Sequence, residues 1–308
     1  MTSMTRVDWR QVRSADFAVP DDAPLPDLTA ELTTMLGITD AELRDDLAVP
    51  TLTAWIHRGV YDDLLVGLGD GLATGLFAVP ARDAASTAGV PSLRRSRSAT
   101  VLAACVERDI AVPLLPGGRV LDWADRIAGV MLAETDLRGH DASIGWVRAI
   151  SLQADALGVI ASSPHCGRAE LAVLLDLIGE RVTTRVAHAW AADEADRLAA
   201  ATVRLLRRNL LDLEQAELWV ATIGDRAFGH RTGRGTPRPV ANNVDSFIRA
   251  LYLHLALAPQ PPQIRTDLLL TVVAVLRELH PTELGGPTGG VPGNGQGTGA
   301  HQDRRTQP

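Results

Sequence analysis

The stretch TDLRGHDASIGWVRAISLQADAL, residues 135–157, shows most clearly how this chain folds. Its apolar side chains from Trp146 to Leu157 recur at intervals of three and four residues. Such spacing places them on one face of an α-helix, since a helix turns once in about 3.6 residues. The pattern predicts an amphipathic helix over residues 143–162.

The same periodicity extends outward along almost the whole chain, for example from Leu198 to Leu206 and from Phe247 to Leu251. Two Tyr, four Phe and few β-branched runs leave little signal for strands. We therefore predict an all-α protein with essentially no strand. Helices are expected over residues 5–15, 24–36, 40–47, 50–58, 62–78, 92–109, 119–133, 143–162, 167–182, 191–208, 211–223, 241–258 and 264–280.

These helices pair into helical hairpins at a spacing of roughly forty residues, the period of two-helix repeat units. We predict stacked helical hairpins that form a HEAT-like α-solenoid over residues 5–282. A compact irregular bundle is the alternative. Residues 283–308 are expected to form a disordered Gly/Pro-rich tail, because residues 285–308 contain eight Gly and three Pro.

Charge and cysteine content restrict the function classes. The formal net charge is −7, and every basic residue other than histidine is arginine. The absence of lysine excludes Schiff-base chemistry on lysine and the lysine of phosphate-cradling loops. Two cysteines, Cys105 and Cys166, without a secretory signal indicate the cytoplasm. The longest apolar run, residues 268–276, is too short to span a membrane.

Motifs of catalysis and cofactor binding are missing. The segment GLGDGLATG at residues 67–75 lacks the third glycine and the preceding strand of a nucleotide-binding loop, so we expect it inside a helix. The chain has no H-E-x-x-H, C-x-x-C or G-x-S-x-G motif. We predict no cofactor, no metal and no membrane association, and the sequence leaves enzymatic activity uncertain.

Arginines cluster in two places. One cluster is Arg94, Arg95 and Arg97, and the other is a Gly/Pro-rich loop over residues 224–240 that carries arginines between residues 226 and 238. Such a loop could contact the phosphates of a nucleic acid. The acidic net charge favours a solvated linker instead, and nucleic acid is an unlikely partner.

Asp155 is a carboxylate on a strongly apolar helix, and a buried carboxylate needs a partner. Arg138, Arg197 or Arg249 could supply it from another helix. We expect a buried inter-helix clamp whose loss in Asp155→Ala costs ~3–5 kcal/mol. The alternative is a small-ligand or enzymatic pocket around Trp146 and Asp155.

Several blocks carry a resemblance to a known family. They are TDAELRDDLAVPTLTAWI with GVYDDL (39–64), LRRSRSATVLA (93–103), ETDLRGHDASIGW with ADAL (134–157), DEADRLAAA (193–201), RNLLDLEQAELWV (208–220) and NVDSFIRALY (243–252). Their order and spacing over about residues 10–258 resemble the bacterial family catalogued as domain of unknown function 2785. The resemblance implies an all-helical, HEAT-like stack of unknown activity and no established catalytic residues.

The chain departs from that family at three positions. Relatives commonly have histidine where this chain has Arg148 and Leu152, and an aromatic residue where it has Arg97. A histidine pair that served a function in relatives would therefore be lost here. The candidate ligand or structural cluster comprises Arg95, Asp136, Arg138, Trp146, Asp155, Arg197, Asn243, Arg249 and Tyr252.

From these observations we expect a non-catalytic cytoplasmic scaffold that binds a protein or peptide on its concave face. A pocket around Trp146 and Asp155 is the second hypothesis. Nucleic-acid contact through the arginine-rich loop 226–238 is the third.

Overall fold

The computed structural model describes residues 7–77, 90–232 and 238–284. Within these residues the chain folds into twelve α-helices, which confirms the all-helical class. They are α1 (Trp9–Ser14), α2 (Leu25–Met35), α3 (Val49–His57), α4 (Leu65–Gly75), α5 (Pro91–Ala111), α6 (Gly117–Ala133), α7 (Ala149–Ser162), α8 (Arg168–Thr183), α9 (Glu194–Leu206), α10 (Leu213–Thr232), α11 (Arg238–Leu257) and α12 (Arg265–Leu279). The predicted tail lies outside the described residues, apart from its first two positions.

The helices pack in two layers. In one layer α3, α5, α7, α9 and α11 contact each other in that order, and in the other α4, α6, α8 and α10 do so. Consecutive helices such as α5 and α6, or α8 and α9, pack across the layers, and α12 contacts both α10 and α11. Most buried apolar side chains of both layers belong to one hydrophobic core.

Local sequence explains how several helices begin. Asp8 caps α1 through its side chain, which accepts the backbone N–H groups of Arg10 and Gln11. Asp40 accepts the N–H of Leu43 at 3.1 Å, where the chain enters a π-helical stretch (Glu42–Ala48) that continues directly into α3. The helix predicted over residues 40–47 is therefore present, but with the wider π-helical turn.

The segment before α7 differs from the prediction. Residues 143–148 are not helical: β1 (His140–Asp141) and β2 (Gly145–Trp146) form a two-stranded antiparallel hairpin, with His140 opposite Trp146. Gly145 and Arg148 both have positive φ, +76° and +48°, and helix α7 begins only after Arg148. The expectation of a helix from residue 143 was wrong here, since the turn geometry overrides the apolar periodicity. The two short strands are a local exception in a chain that was expected to have essentially no strand.

The predicted loop at residues 224–240 is also corrected in part. Helix α10 continues to Thr232, and α11 begins at Arg238. In contrast, residues 67–75 lie in helix α4 as predicted. Both cysteines, Cys105 and Cys166, are free and buried. Among the described residues no helix is long and apolar enough to cross a membrane.

Candidate functional site

The hairpin at residues 140–146 is held in place by two buried arginines. Arg44 donates from Nη2 to the carbonyl of Ile144 at 2.9 Å. Arg97 donates from Nη2 to the carbonyl of Trp146 and from Nη1 to that of Val147, both at 2.6 Å. These donors satisfy main-chain acceptors that have no partner within a regular ladder.

Asp45 pairs with both arginines and offsets one of their two positive charges. Its carboxylate accepts from Arg44 Nη2 at 2.7 Å and from Arg97 Nε at 2.9 Å. Burial opposes ionisation of Asp45, but the hydrogen bonds from the two guanidinium groups outweigh it and lower the pKa of this carboxyl. Burial lowers the pKa of Arg97, and the pairing with Asp45 counteracts that effect. The result is a hydrogen-bonded polar cluster beneath the hairpin, in which two arginines share one carboxylate.

Apolar contacts complete this attachment. Ile144 and Val147 are buried and form a small hydrophobic cluster with Leu93 at the start of α5 and Ala149 at the start of α7. Trp146 points the other way: it is 49% exposed and meets His140 edge to face, with ring centroids 5.3 Å apart. The hairpin therefore presents an aromatic pair on the surface while its backbone is fixed from below.

Asp193 joins the hairpin to helices α7 and α9. Its carboxylate accepts from Arg148 Nε at 3.1 Å, from Ser151 Oγ at 2.7 Å and from Arg197 Nε at 3.0 Å. Burial raises the pKa of Asp193, yet these three hydrogen bonds outweigh it and shift the pKa well below its ordinary value. Asp193 is thus an ionised carboxylate at neutral pH, at the start of α9.

Asp155 also lies on α7, four residues after Ser151, which contacts Asp193. Its carboxylate is 3.5 Å from Arg197 Nη1, so Arg197 is the partner among the three that were proposed. The side chain is 42% exposed, and the expectation of a buried clamp was therefore wrong. Partial burial raises the pKa of Asp155, while the nearby Arg197 opposes this shift. The carboxylate borders open space instead of the core.

That open space is a groove on the layer of α3, α5, α7 and α9. It consists of two adjoining cavities of about 360 and 640 Å³, which share Glu107, Val159 and Arg204 in their walls. Its floor carries small side chains from all four helices: Thr53, Thr100, Ala103, Ala104, Ala156, Gly158, Ala200 and Ala201. Leu152 lines the first cavity beside Asp155. We call this surface the groove.

The groove is richer in cations than in anions. Asp155 is compensated by Arg197, and Glu107 lies 3.2 Å from His57. Further basic side chains line the second cavity: Arg204, Arg207 and Arg208. Arg208 donates to two main-chain carbonyls and Arg207 to the side chain of Gln260. Arg204 is exposed and, within the described part of the chain, has neither a hydrogen bond nor an ion pair.

Three other predicted residues meet just before the hairpin. Arg95 forms a two-point pair with the buried Glu134, from Nη2 at 2.8 Å and Nε at 3.0 Å. Asp136 accepts from Arg138 Nε and from the hydroxyl of Ser92, and the Arg138 hydrogen bond lowers the pKa of Asp136. These contacts hold the segment between α6 and β1.

The last three predicted residues lie on α11, away from the groove. Asn243 is buried, and its Oδ1 accepts the backbone N–H of Trp190 at 2.9 Å. Arg249 pairs with Asp245 one turn earlier, with Nε to Oδ2 at 3.0 Å. Tyr252 is exposed. The residues of the predicted cluster therefore lie in several separate places in the structure. In particular, Trp146 does not line the cavity that contains Asp155.

Sequence reasoning missed four important residues: Arg44, Asp45, Asp193 and Arg204. The sequence did contain a signal for Arg44. Ala48 and Thr51 follow it at helical spacing, and this pattern predicts that the three residues share a buried helix face. Nothing local distinguished Asp193 or Arg204, because their importance depends on neighbours from other helices. In the described ranges no three His, Cys, Asp or Glu side chains could together hold a metal ion.

The arginine-rich loop is only partly described. Arg226 donates to Glu180 at 3.0 Å and to the hydroxyl of Thr183 at 2.9 Å, so it belongs to the contact between α8 and α10. The side chains of Arg231 and Arg234 lie outside the described residues.

Comparison with known proteins gives one match. A family model described as "Protein of unknown function (DUF2785)" matches residues 90–253, more than half of the chain. The matched stretch begins with α5 and includes the hairpin, Asp193 and most of the groove. No curated protein and no solved structure matches the chain.

Proposed function

The chain belongs to the family of proteins of unknown function DUF2785, and from that premise we propose that it is a non-catalytic cytoplasmic scaffold. Its groove binds an acidic segment of another protein. The observation that carries the proposal is the groove over four helices, with Arg204 at the junction of its two cavities and without an ion pair among the described residues.

The packing order of the helices supports a HEAT-like solenoid. Helices that alternate along the chain contact each other within one layer, as stacked two-helix units do. Such stacks expose a long face that consists of one helix from each unit. The groove lies on one of these faces, and its small side chains leave room for an extended peptide.

The charge of the groove supports an acidic occupant. Arg204, Arg207 and Arg208 line one half. Asp155 in the other half already pairs with Arg197, and Glu107, which lines both halves, contacts His57. An acidic side chain of a bound peptide would form charge-assisted hydrogen bonds with Arg204 without displacing an internal ion pair. Opposite charges would also accelerate association at low salt.

Binding of defined peptides tests the proposal. We expect a fluorescein-labelled Glu-rich peptide to bind more tightly than its Gln counterpart, and less tightly as salt increases. Arg204→Glu should weaken binding at least about tenfold, since it replaces an attractive charge with a repulsive one. Ala200→Trp, which fills the floor of the groove, should weaken binding of both peptides.

Arg277→Glu is the matched control, because Arg277 is an exposed arginine of α12 outside the groove. It should leave the affinity unchanged. Equal affinity for the Glu and Gln peptides, or equal losses in Arg204→Glu and Arg277→Glu, would contradict the proposal.

A further inference from the structure

A separate cavity of about 480 Å³ lies between α2, α4 and α5, and it shares no lining residue with the groove. Five leucine side chains form much of its apolar wall: Leu25, Leu36, Leu64, Leu68 and Leu72. This volume and this apolar character are typical of pockets for small molecules, which combine an apolar lining with a few convergent polar groups.

Helix α4 contributes a glycine stripe to the cavity wall. Gly67, Gly71 and Gly75 recur every four residues and therefore lie on one face of the helix. A Cβ atom added at Gly67 or Gly71 would meet nothing within 4 Å. Packing against another helix does not require glycine at these two positions. The absence of side chains at Gly67 and Gly71 leaves space in the cavity.

The polar end of the cavity is formed by Arg94 and Ser98, one turn apart on α5. A Cβ at Gly75 would lie 3.2 Å from Ser98 Oγ and 3.5 Å from Arg94 Nε, so the two polar groups converge beside this glycine. Ser98 is only 1% exposed, and its hydroxyl has no hydrogen-bond partner among the described residues. The same holds for the guanidinium of Arg94 within those ranges. Both groups line the cavity and can donate hydrogen bonds to an acceptor within it.

Among the described residues that line the cavity, Arg94 is the only charged one. Tyr61 is the other ionisable group there; its hydroxyl lies 2.9 Å from Thr29 Oγ1, and burial raises its pKa to about 12. The tyrosine is therefore neutral at physiological pH and does not neutralise Arg94. A single cation at one end of an apolar cavity favours a ligand with one negative charge.

We propose that this cavity binds a small amphipathic carboxylate. Its apolar body lies along Gly67 and Gly71 between the leucines, and its carboxylate accepts from the guanidinium of Arg94 and the hydroxyl of Ser98. This site is independent of the proposed peptide groove, and the failure of one proposal would not affect the other.

Titration calorimetry with saturated carboxylates from hexanoate to dodecanoate, with the matching alcohols as uncharged probes, tests the site. We expect at least one carboxylate to bind more tightly than its alcohol. Arg94→Gln should weaken that carboxylate roughly tenfold, the usual scale for a hydrogen bond to a charged group. It should leave the alcohol unchanged, and Ser98→Ala should have a smaller effect in the same direction.

Gly71→Leu fills the cavity and should remove the binding of both probes. Gly129→Leu is the matched control, because Gly129 also lies in a helix with open space around its Cβ but outside the cavity. Circular dichroism of both variants checks that they fold. The proposal is overturned if no carboxylate binds, if the alcohols bind equally well, or if a folded Gly71→Leu variant retains binding.

Discussion

Arg97 of α5 forms a two-point ion pair with Asp45 of the π-helical stretch, with Nε–Oδ1 at 2.9 Å and Nη2–Oδ2 at 3.2 Å. The same guanidinium donates to the carbonyls of Trp146 and Val147. One side chain thereby connects three segments that are about fifty residues apart.

Replacement of Arg97 by methionine should strongly destabilise the fold. The side chain is 4% exposed, and its loss leaves the hairpin carbonyls without donors in a buried region. We expect the free energy of unfolding to fall by about 3 kcal/mol, the scale for breaking a buried pair from one side. Urea denaturation measures the change.

Arg226→Met is the matched control for that experiment. Arg226 also pairs with a carboxylate, Glu180, but both side chains are about half exposed. Its replacement should cost less than about 1 kcal/mol. A similar cost for the two arginines would show that burial beneath the hairpin does not determine the contribution of Arg97.

Asp155→Ala should lower the free energy of unfolding only slightly, whereas breaking a buried pair would cost ~3–5 kcal/mol. The carboxylate is 42% exposed and 3.5 Å from Arg197, which retains Asp193 as a second partner. We expect a loss below about 1 kcal/mol in chemical denaturation, as for other solvent-screened pairs. A loss several times larger would mean that Asp155 fixes the α7–α9 contact after all.

Asp193 should make stability depend on pH in the acid range. Its pKa is lowered in the folded state, so the unfolded chain takes up a proton first as the pH falls. The stabilisation is fully present above the ordinary carboxyl pKa of about 4 and is lost as the pH falls towards the folded-state value. Asp193→Asn should therefore be less stable at pH 7 and should lose less stability on acidification.

Urea midpoints between pH 7 and pH 3 measure this difference. Asp225→Asn serves as the control, because Asp225 is exposed and has no ion pair in the described part of the chain. Parallel pH profiles for the wild type and Asp193→Asn would rule out Asp193 as the source of the acid sensitivity.

Two glycines of α4 should respond oppositely to alanine. A Cβ at Gly69 would lie 2.2 Å from the buried ring of Trp123, whereas one at Gly71 would meet nothing within 4 Å. Gly69→Ala should cost about 1–3 kcal/mol through overpacking. Gly71→Ala should stabilise the helix by about 0.5–1 kcal/mol, because alanine loses less backbone entropy. Thermal denaturation measures the change in stability of each variant. Changes of the same sign in the two variants would contradict this packing.

Sequence alone determined the helical class and the position of most helices. Helix α5 was predicted over residues 92–109 and spans Pro91–Ala111, and α8 was predicted over 167–182 and spans Arg168–Thr183. These agreements have a physical cause: the burial of one helix face imposes a 3.6-residue period that the local sequence records. The free, buried Cys105 in α5 follows from the same pattern.

The tertiary structure alone decided the hairpin and the polar site around it. Trp146 is in phase with the helix that follows, and nothing local shows that its carbonyl accepts from Arg97, 49 residues away. Ile144 likewise depends on Arg44, 100 residues away, and Asp193 on Arg148, 45 residues away. Local periodicity reports which face of a segment is buried. Local periodicity does not indicate hydrogen bonds and ion pairs whose two partners come from distant segments. These contacts hold the hairpin in place and determine the charge of the groove.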